Sequence, residues 1–213
     1  MNKKSPLYVL AFMIIITALC GAAISFVQYS MRDTLEANAR LARNRTILRA
    51  FNLISDQTPA ATYDRLLSGN LITDTVGNAQ HKWERFTRKS GPPSIGFIFK
   101  GMGFWDIITG ILVLTPDMSE ILAFDIIEQK ETPGLGARIE ETAFKKQFAG
   151  YRLNWNSDKP FFFGESPDGA HKKVDAITGA TQTSMALERI INNELTAFRN
   201  ATMNSARPSS GGK

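Results

Sequence analysis

The segment LYVLAFMIIITALCGAAISFV, Leu7 to Val27, carries no charged residue in 21 positions. As a helix it is about 30 Å long, the thickness of a bilayer's hydrocarbon core. Lys3 and Lys4 precede it and small residues lie near its end, as in a signal peptide. The stretch is long for the apolar part of such a peptide, and TALCG puts Leu19 where a lipoprotein cleavage site wants a small residue. The expectation is a retained single-span anchor over residues 7–27 behind a cytoplasmic tail at 1–6. Orientation is a separate matter. Lys3 and Lys4 stand on one side of the span against Arg32, Arg40, Arg43, Arg45 and Arg49 on the other, a count that would keep the larger part in the cytoplasm. Long segments translocate largely regardless of charge, so the residues alone leave the side open.

Composition removes several function classes. The lone cysteine, Cys20, lies inside the span, so the remainder holds no disulfide framework, thiol nucleophile or cysteine metal site. His81 and His171 are far apart, no His-x-x-x-His pair or GxSxG element occurs, and no metal ligand set can be named. A net charge of +5 could suggest nucleic acid, but the basic residues are spread out. In an anchored chain they suit anionic lipid headgroups, so membrane lipid is an expected partner and nucleic acid is not.

Along the chain, Met31 to Ile54 has helix-forming composition with Leu35, Ala39, Ile47, Leu48 and Phe51 as apolar points. Residues 28–58 are expected as a helical stalk interrupted at Pro59, 59–199 as the globular domain and 200–213 as a disordered tail. HKWERFTRKSGPPS reads as a polar loop, whereas IGFIFK, WDIITGILVL and EILAFDIIEQ read as strands, the last two joined by the hairpin-length TPDMSE. KETPGLGARIEETAFKKQFAG reads as a Pro-Gly turn leading into a short helix, and FFFGESPDG as a strand ending in a turn. Leu187, Ile190, Ile191, Leu195 and Phe198 recur at the spacing of one buried helical face. The fold class expected is α+β, with an antiparallel sheet behind the N-terminal transmembrane helix and stalk.

Ahead of that last helix stands DAITGATQTS, residues 175–184. Its plain reading is a turn at Gly179 followed by a cap from Thr183 or Ser184. Two further glycine-rich stretches share the domain, GMGFW at 101–105 and ETPGLG at 131–136. Each alone reads as a tight turn, and Trp105 alone as a core aromatic. They are too short for a dinucleotide fingerprint.

In their order and separation behind a single N-terminal span, ETPGLG and DAITGAT resemble the two signatures of the FMN-binding domain family of the membrane redox pumps Nqr and Rnf. The resemblance runs roughly from the anchor to the last helix. It implies covalent FMN, attached through its phosphate to Thr181, the last threonine of the motif, by a separate flavin transferase that uses FAD and magnesium. It also implies a cofactor site formed by Thr178, Gly179, Ala180, Trp105, Glu131, Thr132, Gly134, Leu135 and Gly136, other membrane subunits as partners, and a flavin domain on the extracytoplasmic face of the bacterial inner membrane. The expected role is an electron-carrying subunit without independent catalytic residues, within an ion-translocating oxidoreductase. The short length is similar to the G-type component of Rnf, the expected assignment, while GMGFW resembles the Trp-bearing stretch of the C-type component of Nqr, the alternative. A stand-alone flavinylated domain serving another reductase, and a flavin-free anchored binding domain, are the other readings.

Overall fold

The computed structural model describes residues 6–77, 81–165 and 172–205. It divides into two compact units, 1–42 and 43–213. In the first, helix α1 (Pro6–Ala50) begins; it is long and apolar enough to cross a membrane, and its large side chains are exposed along the span, Leu7 to 73% and Phe26 to 72%. The last turns of α1 belong to the second unit. The helix stops at Ala50 instead of running to Ile54, and the globular unit starts at residue 43 whereas the sequence suggested 59. The reason lies in Ile47, Leu48 and Phe51, whose side chains are buried and so draw this part of the helix into the fold.

Among the described residues the remaining α-helices and strands are α2 (Tyr63–Asn70), β1 (Leu71–Gly77), β2 (Lys82–Arg88), β3 (Ile95–Met102), β4 (Ile107–Leu114), β5 (Glu120–Glu128), α3 (Thr142–Lys146), β6 (Tyr151–Arg152) and α4 (Thr181–Ser205). The six strands form one antiparallel sheet in sequential order. Short connections join each neighbouring pair from β1 to β5, as antiparallel pairing permits, whereas the chain from β5 to β6 runs through α3.

Both faces of the sheet are covered. On β4, Leu112 and Leu114 point into a core shared with Leu187, Ile191 and Phe198 of α4, while Ile111 and Val113 point to a second core holding Ile47, Phe51 and Phe86. That two-sided burial explains why the run ILVL, residues 111–114, is apolar without alternation. It also explains the reading of HKWERFTRKSGPPS as a loop, which the structure corrects: Trp83 feeds one core and Phe86 the other, so β2 carries two apolar anchors on opposite faces among charged residues. Nor do the described residues of FFFGESPDG form the expected strand. Phe161 to Glu165 form only an isolated bridge, Gly164 with Val174, because the Phe161 N–H and C=O bond the Asn192 side chain and are not available to a ladder. Residues 166–171, with His171, lie outside the described residues. All five apolar points of α4 are buried, and the helix continues through residues 200–205, the first part of the expected tail.

Polar groups pin these layers. Buried Asp125 accepts from Arg49 Nε at 2.8 Å and Lys145 Nζ at 2.7 Å, tying the end of α1 to α3 across β5. On the other face Glu194 of α4 accepts from Trp83 Nε1 at 2.7 Å, with His81 Nε2 at 3.7 Å and the His81 ring stacked on Trp83. Burial pushes the Glu194 carboxyl above its ordinary value, and the Trp83, His81 and Lys100 contacts only partly oppose it. A raised folded-state pKa means that stability from this group is fully present below the unfolded value of 4.5 and is lost as pH rises through the folded one. Glu194→Gln, which keeps the acceptor for Trp83 and cannot ionise, is expected to gain on the parent chain in thermal unfolding midpoint as the pH is raised from acidic to neutral. A constant gap would show that Glu194 does not titrate differently in the folded state.

Candidate functional site

Two of the glycine motifs fold into the same device. In ETPGLG the Leu135 N–H donates to the Thr132 C=O at 3.1 Å, with Pro133 second and Gly134 third at φ +74°. In ITGA the Ala180 N–H donates to the Ile177 C=O at 3.0 Å, with Gly179 third at φ +82°. These are the requirements of a type II turn, whose third residue must take a positive φ. Helix α4 starts directly after the second turn, at Thr181. Its first intrahelical bond runs from the Ser184 N–H to the Ala180 C=O, which leaves the N–H groups of residues 181–183 directed out of the helix end.

Thr183 and Ser184 therefore lie inside the first turn, and neither caps it as the sequence suggested. Ser184 Oγ accepts from the Ile177 N–H and donates to the Ala180 C=O, stapling the turn to the helix. Thr183 Oγ1 donates to Glu131 Oε2 at 2.8 Å. The other oxygen of Glu131 accepts the backbone N–H groups of Phe104 and Trp105, at 2.9 and 3.0 Å. One buried carboxylate thus joins all three glycine-rich stretches.

Around this joint lies a cavity of about 230 Å³. Trp105, Thr132, Leu135 and Gly136 line it from two turns, and Gly179, Ala180 and Thr181 from the third. Glu131 lies behind the wall at 4% exposure, and Thr178 and Gly134 are exposed on the turns themselves. Phe104, Gln182 and Thr183 complete the lining and were not expected at a cofactor site, Thr183 having been read as a cap, although Phe104 neighbours Trp105 and the other two closely follow Thr181. Phe104 and Gln182 also border an adjoining cleft of about 640 Å³. Trp105 is 63% exposed, Phe104 50% and Leu135 45%, so the indole is no core aromatic but part of an apolar rim.

An FMN group needs an anion site and an apolar, close-approach surface for its ring. The start of α4 offers the first through its N–H groups and dipole. The rim of Phe104, Trp105 and Leu135 beside a backbone without side chains at Gly179 offers the second, with Leu135 Cδ2 only 3.5 Å from where a Cβ of residue 179 would stand. The residues present fit the group.

Comparison with known proteins agrees with that geometry. Residues 103–196 match the family model described as the FMN-binding domain. The C-type component of the Na(+)-translocating NADH-quinone reductase of Vibrio alginolyticus is 32% identical over 91 residues, covering 41% of this chain and 36% of that protein. The chain thus matches about a third of that relative's length. The corresponding protein of Haemophilus ducreyi is 22% identical over 228 residues, covering 88% of each chain. The crystal structure of the same component from Parabacteroides distasonis has the same fold, with a TM-score of 0.64 and 23% identity over 79% of this chain and 95% of that one.

The turns around the cavity pack without slack. A Cβ at Gly136 would lie 2.4 Å from Thr183 Oγ1 and 2.9 Å from Glu131 Oε2. Gly136→Ala is expected to destabilise the domain by about 1–3 kcal/mol, because both atoms belong to a buried bonded group that cannot withdraw cheaply. Denaturant unfolding checks this, and an unchanged midpoint would show that the joint can open without cost.

Proposed function

We propose that the chain is a membrane-anchored electron-transfer subunit that carries FMN as a phosphoester on Thr181, within an ion-translocating oxidoreductase of the Rnf/Nqr family. The observation that carries this reading is the Thr181 hydroxyl itself: exposed, first in α4, and on the wall of the cavity rimmed by Trp105 and Leu135. Thr178 is exposed too but sits second in the turn, ahead of the helix, while Thr183 and Ser184 are buried with their hydroxyls bonded inward. Of the four hydroxyls in the motif, Thr181 combines access with a place at the positive end of the helix.

Attachment is a phosphoryl transfer from FAD, supplied by a separate flavin transferase with magnesium. The Thr181 oxygen forms a bond to the flavin-side phosphorus, the pyrophosphate P–O bond breaks, AMP departs and the hydroxyl proton is lost. Bound in this way, the flavin accepts and donates electrons without leaving the protein. The chain's own residues hold the phosphate at the helix end, offer Trp105, Thr132 and Leu135 to the ring, and keep the attached edge open to partner subunits. Glu131 holds the turns from behind.

Residues 7–27 form the membrane anchor in this reading, and the flavin domain lies on the extracytoplasmic side. The Vibrio and Haemophilus relatives favour the Nqr type of complex over the Rnf type that chain length suggests.

Two experiments test the proposal. In denaturing gels, where only covalent flavin survives, Thr181→Ala is expected to abolish flavin fluorescence in a domain that still folds, while Thr178→Ala, Thr183→Ala and Ser184→Ala retain at least part of it. Fluorescence persisting in Thr181→Ala, or peptide mass spectrometry locating the flavin elsewhere, would sink the assignment; a parent chain without covalent flavin would favour the flavin-free binding domain. For sidedness, a reporter active only outside the cytoplasm, fused after Lys213, is expected to be active. A silent reporter beside an active cytoplasmic one would put the domain in the cytoplasm, as the arginine count has it.

A further inference from the structure

We propose that Glu131 is a positioning residue for flavin attachment: its carboxylate sets the direction of the Thr181 hydroxyl and the placement of the aromatic rim at once. The inference rests on attachment at Thr181, the reading proposed for the domain. Glu131 is only 4% exposed, and both its oxygens are engaged by protein donors, the Phe104 and Trp105 N–H groups on Oε1 and the Thr183 hydroxyl on Oε2. Contact with the cofactor is therefore not its task.

Its leverage comes from helix geometry. At 3.6 residues per turn, successive side chains are rotated by roughly 100°, so residues two apart on α4 point to nearly opposite sides. Drawing Thr183 inward to Glu131 turns Thr181 outward, and the two positions are indeed buried and exposed respectively. Without the Thr183 bond the first turn is free to rotate or fray, and the nucleophilic oxygen loses its fixed direction. The other oxygen acts on the opposite wall. By binding two consecutive N–H groups, it fixes the turn that presents Phe104 and Trp105 beside the same cavity. The tight approach is built in, since a Cβ at Gly103 would stand 2.5 Å from Oε1 and one at Gly136 2.9 Å from Oε2.

The test uses the full chain co-expressed with a flavin transferase of this family. It reads the rate at which covalent flavin fluorescence accumulates per folded protein, with the thermal unfolding midpoint measured alongside. Glu131→Ala is expected to slow attachment by roughly tenfold or more, since misplacing a reacting atom by about 1 Å costs rate on that scale. Glu131→Gln is expected to recover most of the loss, because its amide oxygen still accepts the two N–H groups and its amide nitrogen can donate to Thr183 Oγ1. A purely structural role would lower the unfolding midpoint of Glu131→Ala and leave the rate per folded molecule at the parent value, and that result overturns the proposal. If Glu131→Ala does not fold, Thr183→Val decides: slowed attachment in a folded domain supports the proposal, and the parent rate overturns it. A parent chain that acquires no covalent flavin overturns both the attachment reading and this one, whereas equal rates in the parent and Glu131→Ala overturn this one alone.

Discussion

The Glu131 carboxylate is held out of water between two turns and the first turn of a helix, and a buried charge persists only where protein donors replace the solvent it has lost. Here two backbone N–H groups and one hydroxyl supply them. Hydrogen bonds to a charged group stabilise by about 1.5–3 kcal/mol each, so the joint holds only if all three parts arrive together. That requirement governs the local sequence. Glycine at 136 keeps a side chain away from Thr183, and the two glycines at positive φ let the chain reverse on either side of the cavity.

Helix α4 links this joint to the stability of the whole domain. Leu187, Ile191 and Phe198 on its inner face fill the larger core, and Phe198 stacks on Phe97 with ring centroids 4.1 Å apart. The helix is therefore held along its length by apolar burial, while its first turn is oriented by polar contacts. The division suits the attachment site proposed at Thr181. Packing supplies a rigid rod, and the carboxylate sets the rotation of its end.

The proposed role as an electron carrier would require a site that shelters a cofactor and still lets partners come close. The rim combines the two, since Phe104 and Trp105 meet edge to face with centroids 5.1 Å apart while remaining half-exposed or more. Rigid aromatic side chains of this kind cover a ring's face without burying its edge. In the proposed reading, a covalent tether would make enclosure unnecessary for retention.

Several features were legible in the order of residues alone. The charge-free span follows from hydropathy and length, and strands β3 to β5 and the buried face of α4 follow from apolar runs and periodicity, because these are local signals. The two turns were legible for the same reason, as positive φ at the third position selects glycine. Other features needed the fold. Strand β2 was hidden because its anchors, Trp83 and Phe86, serve different cores and break the alternation that marks a strand with one wet face. The start of the globular unit was hidden because nothing local shows that Ile47 and Phe51 meet a sheet. The true partner of Thr183, a carboxylate 52 positions earlier, is likewise not a property of any window of sequence. Local chemistry determined which residues can turn and bury; only tertiary structure decided which distant groups share a hydrogen bond, since desolvation makes that choice after the chain has closed.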